Sequence, residues 1–381
     1  MPYVTVAMRP YYHQISLEDI LANKVGDNPH YFVSNITNTR TKFMKSISQD
    51  VLQAFDFRGM LNAIIEFNNT HSKLIEADKS QLYDTFHIPK KSGGLREINA
   101  PVEILDKALR ELKTIFESQF QTLYHTTAFA YVKGRSTIDA LKRHQRNDSK
   151  WFVKLDFSNF FGSTTESFVF SMLSKLFPFN EVLMRFPEAE NELKKALSVC
   201  FLNGGLPQGT PISPLLTNVM MIPIDHHIAN GLKKKDTRFI YTRYADDMII
   251  SSKVKFDPDE VQNFITDILS KFEAPFELNK KKTRFGSSSG RNWNLGLMLN
   301  KDNEITIGYR KKKIFKAMCH SYITDKKNNK SWDYHSLQKF QGLISYYRMV
   351  EKGYINYVIN HFNKVFQVDM EKMIKIDLNT L

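Results

Sequence analysis

The sequence is poor in cysteine and has no long apolar run. Its 381 residues include only Cys200 and Cys319 as thiols, too few for a disulfide framework or a four-ligand zinc site. No stretch approaches the roughly 18 consecutive apolar residues of a membrane-spanning helix. The opening MPYVTVAMRPYYHQ has no continuous apolar core and no small-residue cleavage site, so it does not read as a secretory signal. Repeats and low-complexity tracts are missing too, which excludes solenoids and arrays. These absences predict a reduced, cytoplasmic protein with no membrane partner.

What is present is a core and an excess of positive charge. Apolar residues make up 42% and charged residues 24%, ordinary values for a globular chain that can bury a core. Against 40 Asp+Glu stand 53 Lys+Arg, a net charge of +13. Such an excess points to a polyanionic partner, nucleic acid before membrane. Much of it lies between residues 280 and 316, where Lys and Arg outnumber two acids, Asp302 and Glu304.

Hydrophobic periodicity gives a coarse order of elements. Val51, Phe55, Phe57, Met60, Leu61, Ile64 and Ile65 lie at helical spacing, and Gly59 predicts a break into a helical pair. HIPKKSGGLREINAP (87–101) reads as a hairpin around a Ser-Gly-Gly turn, followed by a helix over 104–120. WFVKLDF (151–157) is a buried-type strand. Helices follow over about 164–200, interrupted at Phe177-Pro178-Phe179. FIYTRYADDMIISS (239–252) reads as two strands joined at Asp246-Asp247. Asp257 then caps a helix with Pro258 in its first position. A short strand pair lies near 293–309, and helices fill the rest. Strands and helices without a repeating βαβ unit predict an α+β domain, an antiparallel sheet backed by helices.

Three acids stand where acids are costly. Asp156 ends an apolar strand, and Asp246 and Asp247 sit between two more. Carboxylates in such places are paired or bind a cation. Hard oxygen ligands suit Mg²⁺, and two such ions are the standard device for in-line phosphoryl transfer. A solvated Asp-Asp hairpin turn is the plain alternative. Between the acids lies GGLPQGTPISPLLTN (204–218), whose glycines and prolines impose an unusual backbone path and let a ligand approach closely.

FVKLDFSNFF, GLPQGTPISP, YADD and LNKKKT, in this order and spacing, resemble the palm motifs of reverse transcriptases. IPKKSGGLREINAP and TAFAYVKGRSTIDALKRH resemble the fingers blocks of the bacterial enzymes, those of group II introns, retrons and antiphage defence. The resemblance implies a right-hand polymerase: an N-terminal helical segment (1–80), fingers (81–150), palm (151–300) and helical thumb (301–381). It implies that Asp156 and Asp246 bind two Mg²⁺ with help from the Phe157 carbonyl, and that Asp247 is the adjacent carboxylate. Phe161 would close the sugar pocket against a ribose 2′-hydroxyl, and Gln208 would lie against the templating pair. Lys282 in Asn279-x-x-Lys282-Thr283 would approach the triphosphate, with Lys91 and Arg96 clamping it from the fingers. Trp293-Asn294-Leu295-Gly296 resembles the primer-grip turn. Arg310, Lys311, Lys312 and Lys313 lie where the duplex would leave the palm. Tyr346, Tyr347 and Arg348 would follow the minor groove, with packing in the thumb core as the alternative for the two tyrosines.

Two blocks depart from the retron pattern. Asp139-Ala140 with His144 stands in place of Asn-Ala-x-x-His, and Asn294-Leu295-Gly296 in place of Val-Thr-Gly. With about 70 residues after the basic strand pair, the expectation is a thumb without the DNA-binding and endonuclease modules of an intron maturase. The expectation is a compact stand-alone RNA-directed DNA polymerase that uses dNTPs and a primer–template, working on a dedicated structured noncoding RNA in bacterial antiviral defence. An effector protein or a second copy would complete its partners. Two alternatives stay open: a retron enzyme making RNA-linked single-stranded DNA, and a template-independent or protein-primed DNA polymerase of the abortive-infection type.

Overall fold

The computed structural model describes residues 55–90, 93–120, 124–289 and 295–380. Most of the expected N-terminal segment with Val51, the fingers residue Lys91, and Trp293-Asn294 lie outside the described residues.

Along the chain come α1 (Phe57–Thr70), β1 (Tyr83–Pro89), β2 (Leu95–Pro101), α2 (Glu103–Phe120), α3 (Thr137–Arg146) and β3 (Trp151–Asp156). The single turn α4 (Phe160–Ser163) leads to α5 (Glu166–Leu173), α6 (Phe179–Arg185), α7 (Ala189–Ser198), α8 (Ser213–Met220) and α9 (Ile222–Lys235). Next are β4 (Ile240–Tyr244), β5 (Asp247–Ser252), α10 (Pro258–Lys271), β6 (Arg284–Ser287), β7 (Met298–Leu299) and β8 (Ile305–Thr306). Four helices follow: α11 (Tyr309–Lys327), α12 (Tyr334–Val350), α13 (Lys352–Phe366) and α14 (Met370–Thr380). The fold is α+β, as expected. Its main sheet has the order β4-β5-β3-β6, and β1-β2 and β7-β8 are separate antiparallel pairs.

These residues form two compact units that interleave along the chain. One comprises residues 55–136, 154–250 and 257–284, the other 137–153, 251–256 and 285–380. In the first, α1 runs through Gly59 without the expected break. Gly59 lies in the first turn, where its amide donates to Asp56 Oδ1 at 2.7 Å. It therefore serves the helix start rather than a hinge; such a cap contributes about 1 kcal/mol. Buried Met60, Leu61, Ile64 and Phe67 face the core, and α1 packs on α2, α6 and α7. The β1–β2 hairpin turns through Gly93 and Gly94, both left-handed (φ 87° and 79°), so the expected glycine pair is required by the backbone. At the start of α10, Asp257 accepts from the Asp259 amide at 2.8 Å, and Pro258 takes the first turn, as read from the sequence. Cys200 is a buried free thiol.

In the second unit, α12 packs on α13 and α14, and α11 on α13. Phe315, Tyr322, Phe340 and Tyr347 fill the centre. Tyr347 is thus a core residue, and Arg348 is taken up by Glu371 (2.7 Å) and Asn356 (2.9 Å). Of the two alternatives for Tyr347, the structure shows core packing. Cys319 is a second buried free thiol. No helix among the described residues is long and apolar enough to cross a membrane.

Candidate active site

The site is built where β3 ends and β5 begins. The two strands are neighbours, so the last residue of one and the first of the other are brought together from opposite chain directions. The Phe157 amide donates to the Asp246 carbonyl at 3.3 Å, while at the far end the Lys150 amide donates to the Ser252 carbonyl at 2.9 Å. Between β4 and β5 the chain turns through Ala245, left-handed at φ 57°. That turn is held from below. Arg243, fully buried, donates to both carboxyl oxygens of Asp225 (2.9 and 2.8 Å) and to the Ala245 carbonyl at 3.1 Å. Tyr241 completes the cluster with a 2.7 Å hydrogen bond to Asp225. Removing one partner of such a buried pair costs about 3–5 kcal/mol, because the other charge is stranded.

The opposite side of β3 is bordered by residues 277–279. The Ser158 amide donates to the Glu277 carbonyl and the Asn279 amide to the Asp156 carbonyl, both at 2.8 Å. A tight turn follows, in which the Lys282 amide donates to the Asn279 carbonyl at 3.0 Å. This returns the lysine to the strand it borders, and Lys282 Nζ meets Asp156 Oδ1 at 2.7 Å. Lys154, on the same face of β3 two residues earlier, pairs with Asp247 at 2.8 Å.

The electrostatics follow from this crowding. Burial, and then the charge of Asp156, raise the pKa of Asp246. Burial pushes Asp247 up to about 6, against the pull of Lys154. Lys282 is raised, first by its hydrogen bond to Asp156. Asp156 itself is buried. Among the described residues no group of three His, Cys, Asp or Glu is arranged as a ready metal site. The donors nevertheless fit a divalent cation in kind. They are hard carboxylate oxygens that disfavour one another's ionisation, and two of them are neutralised by lysine amines that a cation could replace. Phe157 offers only its backbone, since its ring is buried and stacked on Phe160 at 5.2 Å.

The glycine- and proline-rich loop is anchored to α4, the turn of helix that follows β3. The Leu206 amide donates to the Phe161 carbonyl at 3.0 Å. Gly205 crosses Gly162 so closely that a β-carbon would stand 2.2 Å from the Gly162 carbonyl oxygen. Phe161 is half-buried, edge-on to Phe160 at 5.8 Å. On the other side, the Gln208 carbonyl accepts from the Asn99 amide at 2.8 Å, joining the loop to β2.

Residues 88–330, well over half the chain, match the family described as reverse transcriptase (RNA-dependent DNA polymerase). The chain belongs to the reverse transcriptase family. Its relatives include the retron Ec83 reverse transcriptase of Escherichia coli, 25% identical over 290 residues, covering 74% of this chain and 87% of the relative. The retron Ec73 reverse transcriptase of Escherichia coli is 29% identical, covering 53% of this chain and 64% of the relative. The retron Mx65 reverse transcriptase of Myxococcus xanthus is also 29% identical, at 57% and 51%. The chain thus spans about half to two thirds of the length of these last two. Among solved structures, telomerase from Candida albicans in complex with a fragment of telomeric RNA aligns at a TM-score of 0.45 and 14% identity, covering 82% of this chain and 58% of that one.

For this reverse transcriptase, the structure brings together Asp156, Phe157, Asp246, Asp247 and Lys282, and ties the segments of Phe161 and Gln208 to one another. Arg96 is exposed on β2, the strand that receives the Gln208 loop. Arg310, Lys311, Lys312 and Lys313 lie in the second unit. There Arg310 and Lys313 are exposed, whereas Lys312 pairs with Glu351 at 2.6 Å and covers the Tyr354 ring. Lys311 donates to the Gly296 carbonyl. Three residues escaped the sequence reading: Lys154, Arg243 and Asp225. Each left a signal, a charge inside an apolar strand or helix (FVKLD, YTRYA, MMIPID), of the same kind that exposed Asp156.

Proposed function

We propose that this RNA-directed DNA polymerase joins dNTPs to a primer at the Asp156–Asp246 site with two Mg²⁺. The observation that carries the reading is the meeting of Asp156, at the end of β3, with the Asp246 turn and Lys282. Asp156 and Asp246 would hold the ions, helped by the Phe157 carbonyl, with Asp247 beside them. Bound there, divalent cations supply activation of the attacking oxygen and neutralise charge on the leaving one.

This chain's own residues do the rest. Lys282 stays protonated and faces the carboxylates, so it can place positive charge, and a proton, beside a departing pyrophosphate. Arg96, with Lys91, reaches the triphosphate from the fingers, the guanidinium by its fork. Phe161 presents a half-buried ring to the sugar, and a 2′-hydroxyl there would meet it. Gln208, on a loop pinned at both ends, lies against the templating pair. Arg310 and Lys313 take phosphates of the duplex without reading its sequence.

The partner we propose is a dedicated structured noncoding RNA, and the setting bacterial antiviral defence in the cytoplasm. The +13 net charge supports the first, and similarity to retron enzymes supports both. The N-terminal helical segment, fingers, palm and thumb would follow the order 1–80, 81–150, 151–300 and 301–381. The test is to purify the protein, supply dNTPs and Mg²⁺, and sequence the nucleic acid that accompanies it and its product. DNA copied from one defined RNA is the expected result. Product that changes mobility after ribonuclease indicates RNA-linked DNA, as a retron enzyme makes. Product released only by protease indicates priming on the protein. DNA unrelated to any accompanying RNA would sink the templated reading.

A further inference from the structure

Residues 125–135 are held firmly, yet none of the roles above uses them. Ala128 forms a parallel bridge with Arg243. The Phe129 amide donates to the Arg243 carbonyl at 2.9 Å, and the Arg243 amide to the Thr127 carbonyl at 2.7 Å. Arg135 donates to the carbonyls of His125 (2.7 Å) and Ala128 (2.6 Å), and Asn218 to that of Ala130 at 2.7 Å. The segment therefore runs beside β4 in the same direction. Three residues beyond the bridge stands Tyr131 on one chain segment, and Asp246 on the other.

Tyr131 has two unusual properties. Its backbone is left-handed, at φ 59°, although it is a bulky residue. Its side chain is also 54% exposed, so packing does not explain why the conformation is kept. Strain of this sort, imposed by the surrounding structure on an open side chain, collects where ligands bind. The neighbours are informative. The hydroxyl is partly desolvated, and it lies within the fields of Asp246, Tyr244 and Arg96. Of these, Asp246 is the carboxylate proposed to hold a cation, and Arg96 the guanidinium proposed to hold phosphate.

We propose that Tyr131 positions the incoming nucleotide by donating its hydroxyl hydrogen to the triphosphate beside the Asp246 turn. The inference rests on the polymerase reading above. A phenol suits the place, because it is a neutral donor at working pH and adds no charge between a cation and an anion. The phosphate, common to all four dNTPs, would be held without selecting a base.

The test uses the full chain with a primer ending in a dideoxynucleotide on an RNA template, so that dNTP binds but does not react. Tyr131→Phe removes the donor and keeps the ring. Its dNTP Kd should rise about tenfold, equally for all four dNTPs. Primer–template affinity and melting temperature should stay as in wild type. Tyr131→Asn, which tolerates the left-handed backbone, should show at least the same loss. Wild-type dNTP affinity in Tyr131→Phe overturns the proposal, as does a loss confined to particular bases or shared with primer–template binding. If wild type itself forms no dNTP-dependent complex, the polymerase reading fails, a result distinct from failure at Tyr131 alone.

Discussion

Lys282 donates to Asp156 Oδ1 at 2.7 Å, and the Asp156 carbonyl in turn accepts from Asn279, the residue that opens the lysine's own turn. The strand that carries the acid thus also places its counter-charge. An amine so placed occupies an oxygen that a divalent cation would use, so the two compete. Lys282→Met should therefore bind Mg²⁺ severalfold more tightly, read as a larger rise in melting temperature per added Mg²⁺. Its nucleotide incorporation should nonetheless fall by about a hundredfold. Asp246→Asn should lose at least as much incorporation and show a weaker Mg²⁺ response. Near wild-type extension by Asp246→Asn would show the site to be misassigned.

The buried acids predict a trade between stability and function. Asp247 is lifted from 3.8 to about 6, chiefly by burial. A carboxyl whose folded pKa lies above its unfolded one favours folding while protonated, and that contribution is lost as pH rises from about 4 through 6. Above that window the ionised group opposes folding in the absence of a cation. Asp247→Asn should then melt roughly 2 °C higher than wild type at pH 7.5. The difference should disappear near pH 4, as melting curves without divalent ions would show. A constant difference across pH would exclude this titration as its source.

Phe161 is half-buried rather than sealed in the core, and its carbonyl, tied to Leu206, fixes its position against the loop. Phe161→Ala should open space for a 2′-hydroxyl and narrow the dNTP-over-rNTP preference by about ten- to a hundredfold in kcat/KM. Primer–template affinity should not move. Single-nucleotide assays with matched dNTP and rNTP decide it; an unchanged ratio would make the ring a packing residue only.

The basic run divides by what each side chain touches. Arg310 and Lys313 are exposed, and Lys312 is committed to Glu351. Arg310→Ala with Lys313→Ala should weaken binding to any primer–template alike. It should also flatten the plot of log affinity against log salt by roughly 0.7–0.9 for each phosphate no longer neutralised. Lys312→Ala should leave that slope unchanged and instead lower stability by about 1 kcal/mol. Parallel salt titrations for wild type and the double variant would place the duplex elsewhere.

Much of the fold could be read locally. The hairpin around Gly93-Gly94, the helix opened by Asp257-Pro258 and the strands flanking Asp246-Asp247 depend on turn chemistry and on periods of two and 3.6, which are written in neighbouring residues. The acids were legible because a charge in an apolar strand is conspicuous wherever it stands. Gly59 misled because helix breaker and first-turn residue look alike until the Asp56 cap is seen. Other features belong to tertiary structure alone. Asp156 meets Lys282 across 126 positions, and Arg243 meets Asp225 across 18. Likewise, the segment that carries Tyr131 reaches the end of β4 only through the bridge between Ala128 and Arg243. Strand order and register set these pairings, and the alternation of residues along a strand says which face a side chain takes, not which strand lies beside it.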